Sequence, residues 1–227
     1  MKKSGVLIIG ALAVLAIAVT SCANSGTQSA GATAPAATPA ATAGKDSAPP
    51  MPVSLAQYYN QQGIYPDGAQ FSGGVDADGN ACSSNLLAAE TWHGVPFQTG
   101  LSVGGPNVIT CKGQSIALAQ PVHFSKLEML ATAVNGAQEN QDFSVTYGDN
   151  SNSDNTLSLS DWAQPDSYTG ESVAMTMEYR NQSDGTKDDN AYYLYRYSIN
   201  LDSSKTLQSL KLPDNDNVKV FALTLVP

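Results

Sequence analysis

From Val53 to Pro227 no stretch of ten or more residues carries a helical period, whereas several short runs alternate apolar and polar side chains. Asp142-Phe143-Ser144-Val145-Thr146-Tyr147, Thr156-Leu157-Ser158-Leu159-Ser160 and Val173-Ala174-Met175-Thr176-Met177 each set one apolar face against another face, the period of a half-buried strand. Leu127 to Val134 departs from that pattern. Apart from Glu128 and Thr132 it is apolar on both parities, which predicts a central strand covered on both sides. Further strands are expected over 91–97, 115–119, 191–200, 206–212 and 218–226. Between the runs lie Asn135-Gly136, Gly148-Asp149-Asn150, Asp184-Gly185 and Pro213-Asp214-Asn215, all residues that favour turns. About nine strands at spacings of about ten to fifteen residues predict an all-β fold, an antiparallel β-sandwich of jelly-roll type. No internal repeat and no second low-complexity break divides residues 53–227, so one domain with a substantial core is expected there.

Two segments of different composition precede that domain. Residues 1–21 hold Lys2-Lys3, an apolar run from Val6 to Val19 and then Thr20-Ser21 before Cys22. The run is shorter than the roughly 20 residues a spanning helix needs and has the parts of a secretory signal. Val19-Thr20-Ser21-Cys22 resembles the lipobox of bacterial lipoproteins. The resemblance implies cleavage before Cys22, a lipid on that cysteine and an exported protein anchored to a membrane. Where the cell has an outer membrane, Ala23 rather than Asp implies sorting outward to it or to the cell surface. An ordinary signal peptide followed by a chance cysteine is the other reading. Residues 22–52 then form a linker: from Ala23 to Pro52 nearly every residue is Ala, Gly, Pro, Ser or Thr. Pro35, Pro39, Pro49, Pro50 and Pro52 forbid a continuous helix, and nothing there can offset the entropy of ordering, so disorder is expected. The r.m.s. reach of such a linker is roughly 30 Å.

Charge narrows the partners. The chain has 11 Lys and Arg against 20 Asp and Glu, a formal charge of −9. Loss of Lys2 and Lys3 with the signal takes the balance to about −11, and no Lys or Arg cluster offers the counterion release on which phosphate binding depends. Nucleic acid is therefore excluded as an expected partner, and charge-driven binding to anionic lipid is disfavoured. Cys82 and Cys111 form a single pair in an exported domain, which suggests a disulfide. It would close a loop of about thirty residues, for roughly 3–4 kcal/mol on the chain-entropy estimate. A metal pair is the alternative, but there is neither a Cys-x-x-Cys nor a nearby His pair. His93 and His123 are the only histidines, and there is no Gly-x-Ser-x-Gly elbow, His-Glu-x-x-His helix or Walker loop, so a non-enzymatic protein is expected.

A second resemblance spans nearly all of residues 53–227. Leu55-Ala56-Gln57-Tyr58-Tyr59-Asn60, Gly63-Ile64-Tyr65, Gly94-Val95-Pro96-Phe97, Leu159-Ser160-Asp161-Trp162 and Tyr179-Arg180-Asn181 occur in the order seen in a type of secreted bacterial β-sandwich. Tyr193-Leu194-Tyr195-Arg196-Tyr197, Leu201-Asp202, Lys205-Thr206, Leu210-Lys211-Leu212-Pro213 and the run Val218 to Leu225 look like the last three strands of galactose-binding-like domains. The resemblance implies the sandwich fold. It also implies a non-catalytic module whose ligand is a sugar, a protein or a lipid, or which serves as a spacer.

Three clusters are candidates for chemistry. A ring, a guanidinium and an amide are what a sugar site uses, which makes Asp161, Trp162, Arg180 and Asn181 a candidate carbohydrate site. The structural alternative is a Trp162 buried as a sandwich plug and an Arg180 paired with Asp161 or Glu171. Tyr193, Tyr195 and Tyr197 share one face of a strand, with Tyr192 and Arg196 on the other, and are expected to pack rather than bind. The oxygen-rich runs 149–155 and 214–217 raise structural calcium as a cofactor, with Asp149 and Asp154 as ligands, although neither has the EF-hand spacing. The functional expectation is a lipid-anchored, non-catalytic module of the cell envelope that recognises a polysaccharide. The alternative is a structural lipoprotein that binds an envelope protein and no small ligand.

Overall fold

Two antiparallel sheets lie face to face in the computed structural model, which describes residues 49–87, 91–92, 94–118 and 123–227. Their strands are, in chain order, β1 (Met51–Val53), β2 (Ile109–Thr110), β3 (Ser115–Ala117), β4 (Lys126–Ala133), β5 (Gln138–Tyr147), β6 (Asn152–Leu159), β7 (Glu171–Met177), β8 (Tyr192–Asn200), β9 (Leu207–Lys211) and β10 (Val218–Val226). The larger sheet runs β1-β10-β4-β8-β7, with β2 following β1 along the same edge of β10. The smaller runs β6-β5-β9-β3. No helix occurs among the described residues, and the expected all-β sandwich is the observed fold. The signal segment, Cys22 and the linker up to residue 48 lie outside the described residues. Residues 51 and 52, expected to belong to the linker, instead open β1, which Pro52 can join because it is an edge strand.

β4 lies between β10 and β8, and its two-sided apolar sequence has a cause on each side. Leu127, Met129, Ala131 and Ala133 face the core between the sheets, with Phe143, Val145 and Leu210 of the smaller sheet. Leu130 and Val134 face outward, into a second apolar cluster with Leu194, Phe221 and Trp162. That outer cluster is roofed by residues 63–108, which supply Ile64, Val75, Cys82, Leu87, Trp92, Phe97 and Val108. The roof has little regular structure of its own. Ile64–Tyr65 pairs in parallel with Cys82–Ser83, and Thr91–Trp92 pairs antiparallel with Val95–Pro96, which among the described residues is all that forms of the strand expected over 91–97. Burial of each large side chain beneath it contributes about 1.5–3 kcal/mol.

Two bulges decide which side chains reach which core. In β10 the register shifts between Val220 and Ala222, so Val218, Val220, Leu223 and Leu225 all face the inter-sheet core while Phe221 and Ala222 face the roof. In β7 a shift between Val173 and Met175 breaks the expected alternation. Val173 is left 37 % exposed, and Ala174, Met175 and Met177 pack under the roof. The Asn135-Gly136 turn joins β4 to β5 with both residues at positive φ, 60° and 101°.

The expected Cys82–Cys111 disulfide is corrected by the fold. Both are buried free thiols. Cys82 belongs to the cluster under the roof and Cys111 to the core between the sheets, so each packs as a small apolar side chain in a different layer.

Candidate functional site

Three of the four residues of the sequence-derived sugar site, Asp161, Trp162 and Arg180, come together, each tied into the fold by its own contacts. Trp162 is held between strands by its backbone: its amide N–H donates to Ala133 O at 2.9 Å, and its carbonyl accepts from Tyr193 N at 2.7 Å. Its ring is 2 % exposed, packed 5.0 Å from the Tyr192 ring. Asp161 caps the neighbouring turns, with Oδ2 accepting from Gly136 N at 2.6 Å and Oδ1 from Ala163 N at 2.8 Å. Arg180 sits on the two-residue ladder Arg180–Asn181 with Lys187–Asp188. Its guanidinium donates to Asp76 at 2.9 Å and to Asp188 at 3.0 Å while lying 5.4 Å over Trp162 and 4.6 Å over Tyr192. The ring is almost wholly covered and the fork is engaged by two carboxylates. The structural alternative therefore holds for Trp162, with Asp76 and Asp188 as the partners of Arg180 in place of Asp161 or Glu171.

Asn181 points elsewhere. It is buried, pairs through its backbone with Ala81, and donates from Nδ2 to Tyr65 O at 3.1 Å. Beside it Asp67 gathers donors from Ser83, Tyr179 (2.6 Å) and Lys187 (2.9 Å). Burial opposes the charge on Asp67, but those donors hold its carboxyl well below the usual range. Tyr192 donates to Asp188 at 2.6 Å, and burial together with that carboxylate pushes its hydroxyl up to about 12. These contacts fasten the roof to the 179–188 hairpin. An acidic cleft of about 460 Å³ remains above them, lined by Asp76, Asp78 and Asp166 together with Asp161, Trp162 and Arg180 of the expected site.

A larger cleft, about 940 Å³, lies on the outer face of the smaller sheet. Strand alternation builds it: Phe143, Val145 and Tyr147 of β5 go into the core, so Asp142, Ser144 and Thr146 face out. Asn152 and Asp154 of β6, Lys211 of β9, Ser115 of β3 and Lys112 complete a surface of hydroxyls, amides, carboxylates and two ammonium groups. Ser144 Oγ donates to Asp154 Oδ1 at 2.5 Å, and Thr156 Oγ1 to Asp142 Oδ1 at 2.8 Å, which orients these groups across neighbouring strands. No aromatic ring lines the cleft. Its outward parity was present in the sequence, but a polar outer face has the same pattern whether or not it binds anything.

The two expected calcium ligands are apart in role. Asp149 closes its own turn by accepting from Ser151 N at 3.0 Å and pairs with Lys205 at 3.0 Å; the Ser151 and Lys205 bonds hold its carboxyl below the usual range. Asp154 belongs to the cleft. No group of three or more His, Cys, Asp or Glu suited to a metal occurs among the described residues. His123 places Nδ1 3.1 Å from Lys205 O, and His93 lies outside the described residues.

A family described as the AziU2-like beta-sandwich domain matches residues 47–227. The chain belongs to this family. The match covers both sheets and the roof, so every site described above lies within the AziU2-like domain. No curated protein matches the chain.

Proposed function

We propose that this AziU2-like domain is a lipid-anchored, non-catalytic binding module of the cell envelope, and that its ligand is a hydroxyl-rich carbohydrate held on the outer face of the smaller sheet. The observation that carries the reading is the cleft of about 940 Å³ in which polar groups from β3, β5, β6 and β9 converge on one surface. Carboxylates and amide oxygens accept from sugar hydroxyls, and ammonium and amide N–H groups donate to them, so such a lining can orient a saccharide. Without a stacking ring the affinity rests on hydrogen bonds that compete with water, each a net contribution of about 1 kcal/mol. The galactose-binding-like resemblance agrees with this class of ligand. The anchor rests on the lipobox resemblance of Val19-Thr20-Ser21-Cys22.

A glycan array probed with the soluble domain tests the ligand. Binding should weaken in Asp142→Ala and in Lys211→Ala, whose side chains lie on the cleft and outside the core. Membrane fractionation tests the anchor: Cys22→Ser should move the protein to the soluble fraction or leave an uncleaved precursor, and unchanged mass and detergent partitioning would refute it.

A further inference from the structure

Among the described residues three large apolar side chains are exposed, and two of them stand on one loop: Leu101 at 79 % and Val103 at 66 %. The loop is presented rather than loose. Asn107, itself fully buried, donates from Nδ2 to Leu101 O at 2.9 Å while its Oδ1 accepts from Gly63 N and Ile64 N. Beyond Val103, Gly104 and Gly105 take φ of +98° and +134°, which turn the chain back with open space around them. Beneath lies a cleft of about 330 Å³ lined by Leu55, Tyr59, Leu101, Val103 and Pro106 among others, with no charged residue. The sequence around it is equally free of charge. In a chain with 11 Lys and Arg and 20 Asp and Glu, residues 47–66 and 94–111 contain none of them.

The position of this patch says what covers it. Ser54 and Leu55 line the cleft directly after β1, so residue 49, where the described chain begins, is five residues from the cleft, at most about 17 Å along an extended chain. We propose that the 98–106 loop rests on the lipid bilayer to which the chain is tethered, with Leu101 and Val103 in the headgroup boundary. This inference rests on the lipid-anchor reading. Two apolar side chains hold a free protein on a membrane only weakly. A linker with a reach of roughly 30 Å changes that by making the contact intramolecular, at an effective concentration set by the linker. A patch without charge desolvates no ion when it enters a neutral lipid surface, whereas the acidic remainder of the domain stays in water.

The test uses the full lipidated chain in neutral phosphatidylcholine vesicles, some of them with brominated acyl chains. An environment-sensitive dye is placed on Ser102→Cys or, as control, on exposed Ser203→Cys. Cys82 and Cys111 are buried, and burial raises both thiols well above their ordinary range, so the native protein labels at the introduced site. The expected result is a blue shift at 102 with bromine quenching at least 2-fold greater than at 203. Both should vanish in Leu101→Ser/Val103→Ser while vesicle flotation persists. Flotation with equal quenching at 102 and 203 would overturn the loop contact and leave the anchor standing. A blue shift without bromine quenching would overturn it in favour of a protein partner or a second copy. Failure to float would overturn the anchor and the loop contact together.

Discussion

Lys219 is a side chain whose position costs the fold something measurable. It is 4 % exposed, and its Nζ donates to Gln61 Oε1 at 2.7 Å and Thr110 Oγ1 at 2.9 Å, both neutral acceptors. Burial lowers the ammonium from 10.5 to about 8. The unfolded chain therefore holds more protons than the folded one between about pH 8 and 10.5, and stability rises with pH across that window. Below it the residue carries a penalty of up to about 3 kcal/mol. Lys219→Met should be more stable than the wild type in urea at pH 7, with the difference shrinking toward pH 10.5; a constant difference would mean the ammonium is not destabilised. Arg180 and Trp162 predict the opposite sign. Arg180→Met leaves Asp76 and Asp188 without their shared cation, and Trp162→Ala empties the ring's site under the roof. Each should cost about 3–5 kcal/mol in urea unfolding. A stable variant that has lost only ligand binding would restore the sugar site expected around Trp162.

The elements differ in how far the sequence discloses them. β4 was legible because its missing alternation has only one physical meaning, cover on both faces, and β10 because a nine-residue run in which only Lys219 and Thr224 are polar, set between turns and rich in β-branched residues, reads as a buried strand. The roof was not, since Ile64–Tyr65 and Cys82–Ser83 are two-residue ladders that carry no period at all. Bulges hid the rest: the extra residue in β7 turns Val173 to solvent although it shares parity with Met175 and Met177. The polar clasp escaped because Arg180 finds Asp76 across 104 residues, a distance no local pattern spans. The cysteine pair misled for the same reason, as spacing along the chain does not reveal that the two lie in different layers. Alkylation of the denatured, unreduced protein should label both Cys82 and Cys111, and a peptide linked through them in a non-reducing digest would contradict the layer assignment.

The whole molecule divides its chemistry by surface. The buried apolar side chains of the described residues form two stacked layers, one between the sheets and one beneath the roof. That leaves a charge-free edge just after β1 and a polar cleft on the smaller sheet. A module tethered by one end and recognising a ligand with a different surface accounts for both. Of this division the sequence disclosed the sandwich, but not the surfaces, which depend on how strands from distant parts of the chain line up. Titration calorimetry of the soluble domain against bacterial and plant polysaccharides, with circular dichroism to verify folding, tests the ligand-binding claim most directly. The predicted result is glycan binding that weakens at least 10-fold in Asp142→Ala and in Lys211→Ala, an effect of about 1.4 kcal/mol or more, and that survives Leu101→Ser/Val103→Ser. A folded wild type that binds no glycan, or binding that ignores both cleft substitutions, would contradict it.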